Sequence, residues 1–217
     1  MSDTALPDAA SATLLFPQFE AELYNMIALE IEGLTEEQLN FESDRWEWSK
    51  WSIRRNLSHM ASGDFRWFLV RWGDQLYPDG LPEITDLDNI INSPYDRRLN
   101  EDVYWDVDGI MDIMKQALGL AHSILSRETI ASLRFKETKS GNRSYFHQAH
   151  PRGVRTDPED SEQVYMSLEA SFRHRYFEYI THLFNIQRLK RAQGLTATVQ
   201  VPMEGYMALP DWDMSEP

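Results

Sequence analysis

The stretch Val164–Gly194, VYMSLEASFRHRYFEYITHLFNIQRLKRAQG, decides the fold. Its apolar residues recur at Val164, Leu168, Phe172, Tyr176, Tyr179, Leu183, Ile186 and Leu189, at the spacing of an amphipathic helix. Asp160 or Ser161 can cap its start and Gly194 can end it, so at about 1.5 Å per residue the helix approaches 50 Å. A segment of that length needs other long helices to cover it. Leu14–Leu34 offers one, with Leu15, Phe19, Leu23, Met26, Ile27, Leu29 and Leu34 as its stripe. A capping box then follows, in which Thr35 stands three residues before Gln38. Ser52 caps a second helix reaching about Trp72 through Ile53, Leu57, Met60, Trp67 and Phe68, and a third spans Asp106 to Arg127.

The connections between these segments are long. Residues 77–100, rich in Pro, Asp and Asn, read as an excursion with a short helix. Residues 131–147 read as a β-hairpin or irregular loop around Ser140-Gly141-Asn142, in the one basic stretch of the chain. Thr196–Val201 has the pattern of an edge strand, within a Pro-containing extended tail. The pattern predicts an all-α, four-helix bundle with long inter-helix connections. It forms a single domain over 1–217, with its core over 12–195 and its tail over 196–217.

Composition narrows the function. The 217 residues carry 21 Lys+Arg against 35 Asp+Glu, a net charge of −14, which repels phosphate backbones and argues against nucleic acid as a partner. The absence of cysteine removes disulfides, thiolate metal sites, Fe–S clusters and Cys nucleophiles, so any metal must be held by His and carboxylate. No apolar run approaches the roughly 20 residues of a membrane span, and MSDTALPDAASATLL lacks the basic and apolar regions of a secretory leader. The expectation is a cytoplasmic protein with no membrane partner.

His174, Glu178 and His182 are spaced i, i+4, i+8 on the last helix and share one face, advancing about 40° per step. Glu178 and His182 can hold one ion from adjacent turns, although such pairs more often belong to solvated faces. His59, on the second helix, is by itself a core-edge histidine bonded to a backbone carbonyl; it becomes a ligand only if it meets His182. Asp64 can serve as a proton acceptor or steady a ligand from behind. His147 and His150 lie in a loop, and His122 packs or caps.

Two segments carry a resemblance: Trp51-Ser52-Ile53-Arg54-Arg55-Asn56-Leu57-Ser58-His59-Met60, and Thr181-His182-Leu183-Phe184-Asn185-Ile186-Gln187. Together with the first helix and its Leu34–Leu39 sequel, they resemble the DinB-like superfamily over the four helices. The connections at 77–105 and 131–160 and the tail are not covered. The resemblance implies an up-down-down-up four-helix bundle, often a homodimer, with a divalent metal on three His. Carried over by position, His59 and His182 are ligands, and the third ligand falls on Glu178. Two alternatives follow: a two-His, one-carboxylate triad suited to Zn, Ni, Mn or Fe, or a site that has lost its metal. His174, one turn earlier, can substitute or stand outside the ligands with Asp64.

Three protein ligands leave a position open to substrate. The resemblance then implies a metal-dependent thiol-S-transferase or hydrolase acting on a small molecule, with Arg143, Arg152 and Arg155 available to receive an anionic one. The alternative is a non-catalytic dimeric bundle that binds a small ligand or a protein partner.

Overall fold

Helix dominates the structure, a computed structural model that describes residues 6–217; the first five residues of the stretch read as leader-free lie outside it. The helices are α1 (Glu22–Ile31), α2 (Glu36–Leu39), α3 (Ile53–Phe65), α4 (Gly73–Leu76), α5 (Leu87–Ile91), α6 (Val107–Arg127), α7 (Ile130–Phe135), α8 (Phe146–Ala149) and α9 (Leu168–Ala192). The strands β1 (Glu137–Gly141), β2 (Val154–Thr156) and β3 (Gln163–Ser167) form an antiparallel sheet in the order β1-β3-β2. The chain is therefore mostly helical but not all-α. No helix among the described residues is long and apolar enough to cross a membrane.

Most helix boundaries follow their local chemistry. The Ser52 hydroxyl accepts the Arg55 N–H at 3.3 Å to open α3, and Asp106 accepts the Gly109 N–H at 3.0 Å to open α6. Thr35 and Gln38 form the reciprocal capping box of α2. Gly194, at φ +76°, ends α9: its N–H reaches the Arg191 carbonyl and the next N–H reaches that of Lys190, which satisfies two free carbonyls of the last turn.

Two boundaries differ from the expectation. Helix α1 begins at Glu22 rather than Leu14, because Pro17 interrupts the segment and Ala12–Leu14 and Pro17–Phe19 settle into separate 3₁₀ turns. Helix α9 begins at Leu168, capped by Ser167 at 3.1 Å from the Ala170 N–H, while Gln163–Ser167 is strand β3. Val164 and Met166 bury their side chains with Phe146 and Ala170, and that cluster holds the segment extended. Strand β1 pairs with β3 from across the sequence, so the local hairpin expected around Ser140-Gly141-Asn142 is replaced by a non-local pairing. The tail stretch Thr196–Val201 forms no strand.

Helices α3 and α9 pack at the centre, with α6 against α3 and α1 against both α6 and α9. Both central helices are enclosed: 19 of the 25 residues of α9 are buried, among them Arg175, Gln187, Arg188 and Lys190. These groups need partners. Lys190 Nζ donates to Glu30 Oε1 at 2.5 Å and to Thr198 at 3.0 Å; Glu30 also accepts from Gln187 at 2.8 Å and from the Val199 N–H at 3.0 Å. One carboxylate of α1 thus binds the tail to α9. Further along, Arg188 donates to the Asp213 and Ser215 carbonyls at 2.9 and 3.1 Å.

Burial alone would raise the carboxyl pKa of Glu30, but hydrogen bonds from Lys190, Val199, Gln187 and Thr198 hold it below its ordinary 4.5. Its contribution to stability is therefore full above about pH 4.5 and is lost as pH falls through the lower folded-state value. Glu30→Ala strands the Lys190 ammonium and should lower unfolding stability by about 3–5 kcal/mol in urea denaturation at neutral pH. The variant should also show a shallower loss of stability between neutral and acid pH than the parent.

Candidate metal centre and its adjoining cavity

Helices α3 and α9 bring His59, Glu178 and His182 together, with one ligand atom from each residue lying within 4.8 Å of the others. His59 Nε2 stands 3.5 Å from Glu178 Oε2, and His182 Nε2 stands 3.8 Å from the same oxygen. The imidazole rings are 4.6 Å apart. The i, i+4 spacing of Glu178 and His182 supplies one side, and the cap at Ser52 sets the register of His59 on the other.

The far nitrogen of each ring fixes its tautomer. His59 Nδ1 lies 2.9 Å from the Arg97 carbonyl, which can only accept, so Nδ1 carries the proton and Nε2 presents a lone pair. Asn56 donates its amide to the Trp51 and Ser52 carbonyls at 3.1 and 2.9 Å, which turns its Oδ1 toward His182 Nδ1 at 2.7 Å. His182 Nδ1 is then the donor, and its Nε2 is the ring atom turned toward Glu178. Burial lowers the His59 pKa to about 4 and keeps it neutral. Two imidazole nitrogens and a carboxylate oxygen converge on one point. That donor set, with each His anchored from behind, fits a divalent ion of the two-His, one-carboxylate kind.

The Arg97 carbonyl is delivered by the 77–100 connection, which has little regular structure of its own. Leu99 N–H bonds the Ser58 hydroxyl at 3.0 Å, Ser62 donates to the Arg97 carbonyl at 2.8 Å, and Arg55 and Arg98 hold Glu101. Arg97 itself has φ +52°, a left-handed conformation that costs a non-glycine residue roughly 1–2 kcal/mol. The strain sits where the carbonyl meets the histidine. Trp51 covers the pair from outside, its ring 5.2 Å from His59 and stacked 6.3 Å from His182.

Asp64 and His174 do not join the three. Asp64, fully buried, accepts from Arg175 Nε at 2.7 Å and from the Tyr179 hydroxyl at 2.9 Å. His174 Nδ1 meets the Tyr206 hydroxyl, which also lies 3.1 Å from His150 Nε2, so the tail closes a His–Tyr–His bridge. Burial lowers the pKa of both histidines to about 3, leaving them neutral. His147 stays at the surface beside Thr156, and His122 is half-buried on α6.

A cavity of about 280 Å³ joins these groups, lined by His59, Glu178, His174, Trp67 and Tyr145 among others. Arg143 is the one member of the expected basic loop that reaches it; Arg155 pairs with Glu137 at 2.7 Å, and Arg152 lies by a different hollow. A broader groove between α1 and α6 is rimmed by Glu32, Glu36, Asp106 and Asp108, of which Glu36 is taken by Arg54 and Asp106 by its cap. Asn56 lay inside the quoted motif and could have been marked by its position one turn before His59. Arg97 and Tyr206 carry no sequence signal, since each meets its histidine across a long stretch of chain. No family model, curated protein or solved structure matches the chain.

Gly63 permits the Arg175 placement, since a Cβ on it would collide with the Arg175 guanidinium. Gly63→Ala should cost about 1–3 kcal/mol of stability by overpacking, read by thermal or urea unfolding. Gly119→Ala on the open face of α6, where a Cβ meets nothing within 4 Å, should not destabilise the chain.

Proposed function

We propose that the chain is a metal-dependent enzyme of the DinB-like type. In this reading α1, α3, α6 and α9 form its four-helix bundle, and a divalent ion rests on His59, Glu178 and His182. The observation that carries this reading is the convergence of three ligand atoms: the Arg97 carbonyl and the Asn56 amide oxygen each hold an Nδ1, which turns both Nε2 atoms toward the Glu178 carboxylate. A divalent ion bound there supplies a Lewis acid that polarises a carbonyl or stabilises a thiolate. This favours thiol-S-transfer or hydrolysis on a small molecule that enters the adjoining cavity.

The residues divide the remaining work. Trp51 shields the outer side of the two imidazoles from water, and the strained Arg97 backbone holds the His59 ring in its orientation. Asp64 anchors Arg175 in the cavity wall rather than moving a proton. His174 lines the cavity with Nδ1 committed to Tyr206, which leaves Nε2 as the atom able to hydrogen-bond a bound molecule.

Elemental analysis of untagged protein tests the reading. About one Zn, Ni, Mn or Fe per chain is expected, lost in His59→Ala and in His182→Ala. Asn56→Leu, which removes the acceptor behind His182 together with the amide's bonds to the Trp51 and Ser52 carbonyls, should weaken metal affinity by about 10–100-fold. No metal in the parent, and none taken up on titration with divalent ions, would leave a non-catalytic helical protein.

A further inference from the structure

We infer that the cavity beside the triad is a receptor for a small oxyanion, a carboxylate or phosphate group gripped by Arg66, Arg71 and Arg175. The molecule it takes is therefore anionic at one end. The inference deepens the metal-dependent reading and rests on it only for what happens at the other end, next to Glu178.

Five arginines, Arg66, Arg71, Arg97, Arg143 and Arg175, line this one cavity in a chain of net charge −14, and Glu178 is the only carboxylate lining it. Among the described residues Arg66, Arg71 and Arg143 have no ion-pair partner, and Arg97 turns to the exposed Asp96. Converging like charges in a partly desolvated wall repel. Burial, with Arg97 acting on Arg66 and Arg143 acting on Arg71, pulls the pKa of both guanidinium groups down. An anion would relieve that repulsion.

The donors are also built in place. Arg175, whose side chain is 2% exposed, uses Nε on Asp64 and lies against Gly63, and its buried Nη2 has no hydrogen-bond partner among the described residues. Arg66 is held by the Arg98 carbonyl at 3.1 Å, and its buried Nε is likewise without a partner among the described residues. Arg71 stacks on Trp67 at 4.0 Å and donates to Ser140 at 2.8 Å. Residues five apart on an α-helix point about 140° away from each other. The π-helical turn Arg66–Arg71 that continues α3 widens the spiral and lets both arginines reach the same hollow. Guanidinium groups fixed in this way can bind a carboxylate or phosphate through paired N–H groups without first being ordered.

Isothermal titration of the full chain with inorganic phosphate and, separately, with succinate tests the assignment and distinguishes the two kinds of head group. Arg175→Gln would strand Asp64 and threaten folding, so the informative variants are Arg66→Gln and Arg71→Gln, with His182→Ala and chelated parent beside them. Expected is binding of at least one probe, weakened tenfold or more in each arginine variant and unchanged in His182→Ala and after chelation. The same pattern in a parent protein that neither holds a divalent ion as isolated nor takes one up on titration would remove the metal reading and leave the anion receptor standing. Absence of binding by both probes at millimolar concentration would overturn the receptor. So would affinity that survives in both arginine variants but vanishes on chelation, which would place the anion on the ion instead.

Discussion

The charged side chains and most of the polar ones that α9 carries into the interior find a partner there, and much of the molecule is arranged to provide one. An unpaired buried charge is among the most destabilising features a fold can contain. Helix α9 brings in His174, Arg175, Gln187, Arg188 and Lys190, with His182 half-buried beside them. Asp64 on α3 answers Arg175, Asn56 on α3 answers His182, Glu30 on α1 answers Lys190 and Gln187, and the tail supplies Tyr206 for His174 and carbonyls for Arg188. These contacts fix the relative register of α1, α3, α9 and the tail more tightly than apolar packing alone would, because a hydrogen bond is lost within a fraction of an ångström.

The same requirement explains why the site is formed on two enclosed helices and finished by irregular chain. Helices hold His59, Glu178 and His182 in place, while the 77–100 connection and the tail bring a carbonyl and a phenol to histidines they could not otherwise reach. A long loop with little regular structure is usually read as tolerated excess. Here Leu99, Glu101 and Arg97 are each tied to α3, and the left-handed turn at Arg97 is retained where its carbonyl receives two hydrogen bonds. The three-stranded sheet plays a comparable part: β1 supplies Ser140, which braces Arg71 at the wall of the cavity.

Two properties of the interior set the chemistry available. The histidines His59, His150 and His174 are kept neutral by burial, so they act as lone-pair donors or hydrogen-bond partners at neutral pH rather than as cations. Positive charge in the cavity comes instead from guanidinium groups, which cannot discharge. The cavity therefore combines neutral and anionic donors with fixed positive charge, in a protein whose overall charge is strongly negative.

Local chemistry was legible in the sequence wherever the relevant groups lie within one turn of each other. Ser52, Asp106 and the Thr35–Gln38 pair open the helices they were expected to open, and Gly194 closes the last one, since capping depends on nearest neighbours. The shared face of Glu178 and His182 is likewise a consequence of helix period. What periodicity could not provide was the environment of that face: the polar residues of α9 look like a solvated stripe in sequence, yet most are buried because α3, α1 and the tail close over them. Nor could it separate the first turn of α9 from β3, where burial of Val164 and Met166 against Phe146 overrode a helical spacing. The tautomers of His59 and His182, the bridge through Tyr206 and the gathering of Arg66, Arg71 and Arg175 all depend on atoms distant in the chain meeting within hydrogen-bond range or around one hollow. Composition and spacing determined which residues could do chemistry; only the tertiary structure decided which of them face one another, because that choice is made by the satisfaction of buried polar groups across helices.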